Sequence, residues 1–409
     1  MSATCLVCHG TEVEMFLDLG CTSLANRFLT PEELAGGTDE PRYPLRVGFC
    51  RGCGHVQLLD RVPPAEMFDD YLYVSAASDT LRAHFDDLSA TLVARHRLAP
   101  GDLVIDIGSN DCSLLASFAR FGVRTLGVDP ARNLAAYAAA LGIDRYTGYF
   151  GADTAEEIAE RWGPAALITA TNTFPHIPDL HGFLRGVDRC LAPGGAFVIE
   201  AHYLLDLLEQ GAWDTVYHEH VSYWALGPLT RLVGRHGMEV VRAERLPIHH
   251  GQLRATVMRR GEGEPDASVA EQLERERAAR LDRFDTYAAF ARRVARARDE
   301  LRSLLADLRA GGARIAGYGA PAKGNTLLGY LGLGPEVICY IADRSPLKQG
   351  RLTPGTHIPV VPPERLFEDR PDYVLLLAWN FEEEVLAQQA AYRAAGGRFI
   401  IPVPDVRVV

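Results

Sequence analysis

The sequence has no apolar run long enough to cross a bilayer, so a membrane helix is not expected. Its opening, MSATCLVCHG, carries neither a basic n-region nor an apolar h-region, which leaves no signal peptide to propose. A full GxGxxG is missing, and with it the main motif for a dinucleotide enzyme. Basic residues are in deficit: 42 Lys and Arg face 53 Asp and Glu, a net charge of −11. A field of that sign disfavours nucleic acid and anionic lipid but leaves room for a local basic pocket. Internal repeats and low-complexity tracts are absent too. Eight cysteines in a long chain without a secretion signal suit a reducing cytoplasm rather than a disulfide scaffold.

What is present is ordinary in bulk and specific in detail. The 409 residues are 47% apolar and 23% charged, the balance of a globular protein with two or three domains. The expected class is α/β. Residues 1–70 are rich in Gly and Pro, hold two CxxC pairs and lack an evident core, so they read as a metal-stapled module. Residues 71–310 alternate strands, expected at 103–109, 124–129, 166–172, 196–201, 239–246 and 254–260, with helical patterns. That alternation predicts a parallel sheet with helices on both faces. The end of this region, 262–310, reads as one or two long helices closed by Gly311-Gly312. Residues 311–409 start a second α/β pattern with strands at 314–320, 337–343 and 372–380.

Cys5 and Cys8 form one CxxC and Cys50 and Cys53 another. Each spacing lets two thiolates from one tight turn share an edge of a metal, and two turns complete a tetrahedron. Four unrelated thiols or a redox pair would also give cysteines, but matched spacing favours structural zinc. Such a site has no open position for catalysis. His9 and His55 are weaker candidate ligands. Cys21, Cys112, Cys190 and Cys339 are expected to pack.

LVIDIGSNDCSLL at 103–115, followed by LGVDP at 126–130, reads as a strand, a glycine turn, a helix start and a second strand ending in a carboxylate. Gly108 allows close backbone approach, and Asn110 and Asp111 precede a helix N-terminus. Asp129, followed by Pro130, is placed to accept from ribose hydroxyls. Thr171, Asn172 and Phe174 follow the next strand and would line the adenine or the transferred methyl. Taken singly, Asp111 could be a helix cap and Asp129 a turn residue; as an ordered set on successive strand ends they point to a ligand. CLAPGGAFVIEA at 190–201 is the usual lead into a late strand of S-adenosylmethionine methyltransferases.

YHEHVSYW at 217–224 gathers Tyr217, His218, Glu219, His220 and Tyr223. Imidazole is suited to proton abstraction near neutral pH, a carboxylate can orient it, and a phenol can donate to a developing enolate oxygen. A polar loop with exposed histidines is the bland alternative. His176 in FPHIPD should face the same crevice. DDYLYVSAAS at 69–78 supplies Tyr71, Tyr73 and Ser75 as a lid, or as packing. Further on, GYGAPAKGN places Gly319, Lys323 and Asn325 at a strand-to-helix turn suited to a pyrophosphate. Asp343 ends the next strand, and Lys348, Arg351 and His357 add cations or donors. A nucleotide fold retained only for packing would look similar.

Together these motifs resemble the zinc-containing C-methyltransferases of nucleotide-linked deoxysugars. The resemblance covers nearly the whole chain and rests on the paired CxxC, GSND with VDP, NTFPHIPD, YHEHVSYW, HHGQLRATV at 249–257, GYGAPAKGNTLLGYLGLG and DRSPLKQGRLTPGTHIPV. It implies a zinc module, a central class I (Rossmann-like) domain for S-adenosylmethionine, and a C-terminal Rossmann-like domain that helps hold a dTDP-4-keto-deoxysugar. It further implies carbon methylation next to the ketone through an enolate, in branched deoxysugar biosynthesis. His220 corresponds to the proposed base, and Glu219, Tyr217, Tyr71 and His176 match positions around the sugar. No protein partner is implied. Cys112 stands where the family usually has glycine, and Pro175 where a small residue is common. An epimerase or isomerase using the same enolate is the alternative. A nicotinamide oxidoreductase and a zinc nucleic-acid binder fit less well.

Overall fold

A computed structural model describes residues 3–71, 74, 75, 79–248 and 251–409. Three sheets organise them. The first is antiparallel, β1 (Val13–Ser23), β2 (Arg42–Cys50) and β3 (Val56–Leu58). Alternate residues of β2, namely Leu45, Val47 and Phe49, are buried, as a pleated strand with one core face requires. Phe49 stacks on Tyr287 at 4.7 Å between ring centroids, which seats the sheet on the helix Phe284–Ala310.

The second sheet contains β4 (Leu103–Ile107), β5 (Arg124–Asp129), β6 (Asp144–Thr147), β7 (Ala165–Thr171) and β8 (Leu191–His202). The next strand in the chain, β9 (Ser222–Tyr223), leaves this sheet to pair with β3. The chain then returns as β10 (Met238–Leu246) and β11 (Gln252–Arg259). The strand order is β10-β11-β8-β7-β4-β5-β6, parallel from β8 to β6 and antiparallel at the β10–β11 edge. All five residues of β4 are buried, as in a strand covered on both faces, and its one polar residue, Asp106, accepts from the Thr169 hydroxyl at 2.7 Å. Leu81, Phe85, Leu88 and Leu92 of the helix Asp79–His96 cover one of those faces.

The third sheet comprises β12 (Ile315–Tyr318), β13 (Ile341–Ala342), β14 (Val360–Val361), β15 (Tyr373–Leu376), β16 (Arg398–Ile401) and β17 (Arg407–Val408). Its order is β14-β13-β12-β15-β16-β17, parallel except at β17. Both parallel sheets reverse winding direction beside their first strand. At such a point the loops after neighbouring strand ends diverge and leave a crevice.

Some expectations are corrected. β8 begins at Leu191, so Pro193-Gly194-Gly195 lies inside the strand rather than in a turn before it. The strand expected at 337–343 narrows to Ile341–Ala342. The long helical region is two helices, Ala267–Ala278 and Phe284–Ala310, and the second is capped at Gly311 with Gly312 at φ +84°. The N-terminal part is not packed alone: Leu29 bridges Leu352, and the Asn325 amide donates to the Ala25 carbonyl at 2.7 Å. Cys21 and Cys339 are exposed, whereas Cys112 and Cys190 are buried. Among the described residues no helix is long and apolar enough to cross a membrane.

Candidate active site

The carboxyl ends of β4, β5, β7, β8, β12 and β15 meet at one cavity of about 780 Å³. A single ligand site usually occupies about 300–1,000 Å³. Its wall includes Gly108, Asn110, Asp129, Pro130, Thr171 and Asn172 on one side. Ser75 joins that side, its amide donating to Asn110 Oδ1 at 3.0 Å. Tyr71, His176, Tyr217 and His220 stand toward the middle, and Lys323, Lys348 and Trp379 come from the C-terminal sheet.

The first side is built by backbone constraint. Gly108 has φ +74°, and a Cβ there would lie 2.0 Å from Thr173 Oγ1, so only glycine fits. Asn110 follows at φ +51° and Cys112 at φ +63°. Cys112 therefore holds a left-handed backbone that glycine adopts freely, at about 1 kcal/mol of strain. Asp129 accepts from the Asn110 amide (2.9 Å) and the Ala131 amide (2.8 Å), and Arg145 pairs with it at 3.2 Å. Burial pushes its carboxyl above the usual range. A carboxylate offers about four lone-pair sites, so these three donors leave one for a ribose hydroxyl. A cavity-facing carboxylate at the second strand end, beside a glycine turn, fits the ribose and amino-acid portions of S-adenosylmethionine.

The middle of the cavity is a stack of imidazoles. His220 lies 5.2 Å from His176 and 5.2 Å from His202 between ring centroids, and Tyr217 lies 4.0 Å from His220. Phe68 stacks on the other face of His176 at 5.2 Å. His220 Nδ1 donates to the Thr215 carbonyl at 2.8 Å. Burial lowers the His220 pKa to about 3, and desolvation lowers that of His176 to about 3, so both rings are neutral at pH 7. Glu219 sits behind this wall. It accepts from the Tyr71 hydroxyl at 2.7 Å and the Asn26 amide at 2.7 Å, while burial raises its pKa to about 7.

The C-terminal side brings charge. Lys323 Nζ lies 3.8 Å above the Trp379 ring, and desolvation lowers its pKa to about 8. Trp379 Nε1 donates at 2.6 Å to Asp214, a fully buried carboxylate of the central region. Lys348 Nζ donates to the Ala320 carbonyl at 2.7 Å.

Several residues singled out from the sequence do not line the cavity. Phe174 is fully buried among Phe183, Phe197 and Trp224. Asp111 accepts from the Ser113 amide at 3.1 Å as a turn cap. His218 turns to Tyr43, with Nε2 3.3 Å from its carbonyl, and Tyr223 is buried in the first sheet opposite Val56. Asn325 is spent on Ala25. Asp343 accepts from Ala320 (2.6 Å) and Ser345 (2.7 Å) and so closes its own loop. His357 pairs with Glu40 at 2.8 Å, and the Arg351 guanidinium donates to the Phe28 carbonyl at 3.3 Å. Gly319, at φ +81° against Ala378, shapes the turn behind Lys323. Tyr73 lies outside the described residues.

Asn26, Phe68, Arg145, His202 and Trp379 were not singled out beforehand. His202 and Trp379 carried a usable signal, since one ends and the other closely follows a strand whose carboxyl end faces the crevice. The others reach the site by tertiary closure.

At the far N-terminal end, Cys5 and Cys53 Sγ lie 3.5 Å apart, as do Cys8 and Cys50, and all four sulfurs fall within 4.8 Å of one another. A tetrahedral ZnS₄ centre with bonds of about 2.3 Å has edges of roughly 3.8 Å. Burial pushes the Cys50 thiol up to about 11, whereas the hydrogen bond from Cys53 lowers Cys5 to about 5. One sulfur can thus ionise with its neighbours still protonated, and a cation is what would hold all four as thiolates. His55 is not in the set; its Nε2 lies 3.2 Å from Ser222 Oγ and its ring 4.8 Å from Trp224.

Comparison with known proteins follows the same three parts. A zinc binding domain model matches residues 5–68, a methyltransferase domain model residues 80–243, and a C-methyltransferase C-terminal domain model residues 247–404. The chain is 39% identical over 406 residues to the C-methyltransferase NovU of Streptomyces niveus, covering 99% of this chain and 96% of that one. Solved structures that resemble it include an S-adenosylmethionine-dependent methyltransferase from Anabaena variabilis (17% identity, 46% of this chain and 88% of that one, TM-score 0.36). Another is a Geobacter sulfurreducens methyltransferase in complex with S-adenosylhomocysteine (17%, 49% and 99%, TM-score 0.32).

Proposed function

The chain belongs to the zinc-containing, S-adenosylmethionine-dependent C-methyltransferases, and on that footing we propose that it methylates a dTDP-linked 4-keto-deoxysugar at the carbon beside the ketone. The observation that carries this reading is one cavity shared by a donor crevice, a neutral imidazole stack and two lysines from a second nucleotide-type sheet.

In this proposal Gly108, Asn110 and Asp129 hold the donor, with Pro130, Thr171 and Asn172 completing its wall. S-Adenosylmethionine supplies an electrophilic methyl group. Lys323 and Lys348 take the pyrophosphate of the sugar nucleotide. A ketone acidifies the neighbouring C–H. The Thr215 carbonyl occupies Nδ1–H of His220, which leaves the Nε2 lone pair to take that proton. The C–H electron pair becomes an enolate, stabilised by hydroxyls such as that of Tyr217. The enolate carbon then bonds to the methyl while its old bond to sulfur breaks. Glu219 holds Tyr71, and His176 supports the His220 ring. The four-thiolate zinc takes no part in the chemistry, because it has no open position. An epimerase using the same enolate would have no need of the donor crevice.

The test uses demethylated donor product in place of the donor, with the 4-keto sugar nucleotide in deuterated water. Wild-type protein should exchange the hydrogen next to the ketone, and His220→Asn should not. Exchange that continues unchanged in His220→Asn and His220→Ala removes His220 from the role of base.

A further inference from the structure

The residues after Asp129 do more than close the donor site. Asn133 lies in the short helical turn Arg132–Leu134, four positions beyond the carboxylate. Its side chain pairs with both backbone polar groups of Tyr71. Oδ1 accepts from the Tyr71 amide at 3.1 Å, and Nδ2 donates to the Tyr71 carbonyl at 2.9 Å. A carboxamide used in this way replaces a peptide group in a two-point bridge. Beside it, the Arg132 amide donates to the Asp69 carbonyl at 3.2 Å. The Tyr71 hydroxyl points the other way and donates to Glu219, next in sequence to His220.

Asn133 is exposed and does not line the cavity, so it is not placed to bind either substrate. A polar surface residue is under no packing demand to satisfy both backbone groups of one partner. We infer that Asn133 is a positioning residue that ties the donor loop to the acceptor side by fixing the backbone from which Tyr71 reaches Glu219. The link runs from Asp129 through Ala131, whose amide Asp129 holds, to Asn133, Tyr71 and Glu219.

This inference rests on the proposed acceptor chemistry only for its kinetic arm. Asn133→Ala should lower kcat/KM for the sugar nucleotide roughly tenfold, the loss expected from one or two hydrogen bonds. Affinity for S-adenosylhomocysteine by calorimetry should stay within about twofold. Tyr71→Phe should lower kcat/KM as well, and the double variant should be no worse than Tyr71→Phe alone, since Asn133 acts through that hydroxyl. Asn133→Asp, which keeps the acceptor and loses the donor, should fall between wild type and alanine. Independently of turnover, hydrogen exchange in the peptide containing Tyr71 should be faster in Asn133→Ala.

Losses that multiply in the double variant, or an Asn133→Ala enzyme equal to wild type, overturn the inference. If wild-type protein does not methylate this substrate class, the functional reading falls instead. The exchange arm then decides the role of Asn133, and unchanged protection at Tyr71 overturns it.

Discussion

The Thr215 carbonyl oxygen lies 2.8 Å from His220 Nδ1. A carbonyl only accepts, so this contact assigns the proton to Nδ1 and the lone pair to Nε2 of a ring that burial keeps neutral. Removing that lone pair should remove a general base. His220→Asn is expected to lower kcat for methyl transfer by about 10²–10⁴-fold, while donor affinity, measured by calorimetry, stays close to wild type. A variant with full activity would place the base elsewhere in the stack.

Glu219 gives a pH signature. Its folded pKa, about 7, stands above its ordinary value of 4.5 because burial penalises the charged form. The sign follows from linkage: stability is unaffected below the ordinary pKa and is lost as pH rises through the folded one. Glu219→Gln has no such charge to bury. Relative to wild type, its stability should improve by up to about 3 kcal/mol between pH 4.5 and pH 8. Melting temperatures of both proteins at the two pH values check this, and parallel curves would show that Glu219 is not held protonated.

Zinc should be a condition of folding at the N-terminus. Cys50→Ser leaves three thiolates in a pocket sized for four and should reduce bound zinc to well under one per chain by elemental analysis. Methyl transfer should fall with it, because Asn26 and Phe68 reach the cavity from the module that this metal staples. Retention of one zinc with full activity would contradict the four-thiolate assignment.

The donor crevice depends on one glycine. Gly108→Ala combines φ +74° with a Cβ 2.0 Å from Thr173 Oγ1, a conflict worth about 2 kcal/mol or more. Binding of S-adenosylhomocysteine, measured by calorimetry, should be lost or weakened at least tenfold. Wild-type affinity would show that the turn can move without affecting the donor.

The sequence shows the strand ends well and side-chain direction poorly. Asp129 and Gly108 are legible because apolar runs mark where strands stop, and a parallel sheet puts those stops on one edge. β6, read as Asp-Arg-Tyr-Thr, escapes notice because an edge strand needs no apolar pattern. β9 is two residues long, and its partner β3 is remote in sequence. That pairing explains the divided fate of YHEHVSYW. Ser222 and Tyr223 are spent on the first sheet and His218 turns toward Tyr43, while Tyr217 and His220 remain on the cavity wall. Asp111 shows the opposite case, a motif residue whose local capping role is the one observed. Asn26 and Asn133 have no local signature at all, since each acquires its partner only when distant segments close together.

The most direct test supplies purified protein with donor labelled at the methyl carbon with carbon-13 and with a dTDP-4-keto-deoxysugar, then locates the label by NMR. The expected result is a product heavier by one methylene, with the labelled carbon bonded to the sugar carbon adjacent to the ketone. Label found on oxygen, or no transfer by a zinc-loaded protein that binds the donor, contradicts the proposal.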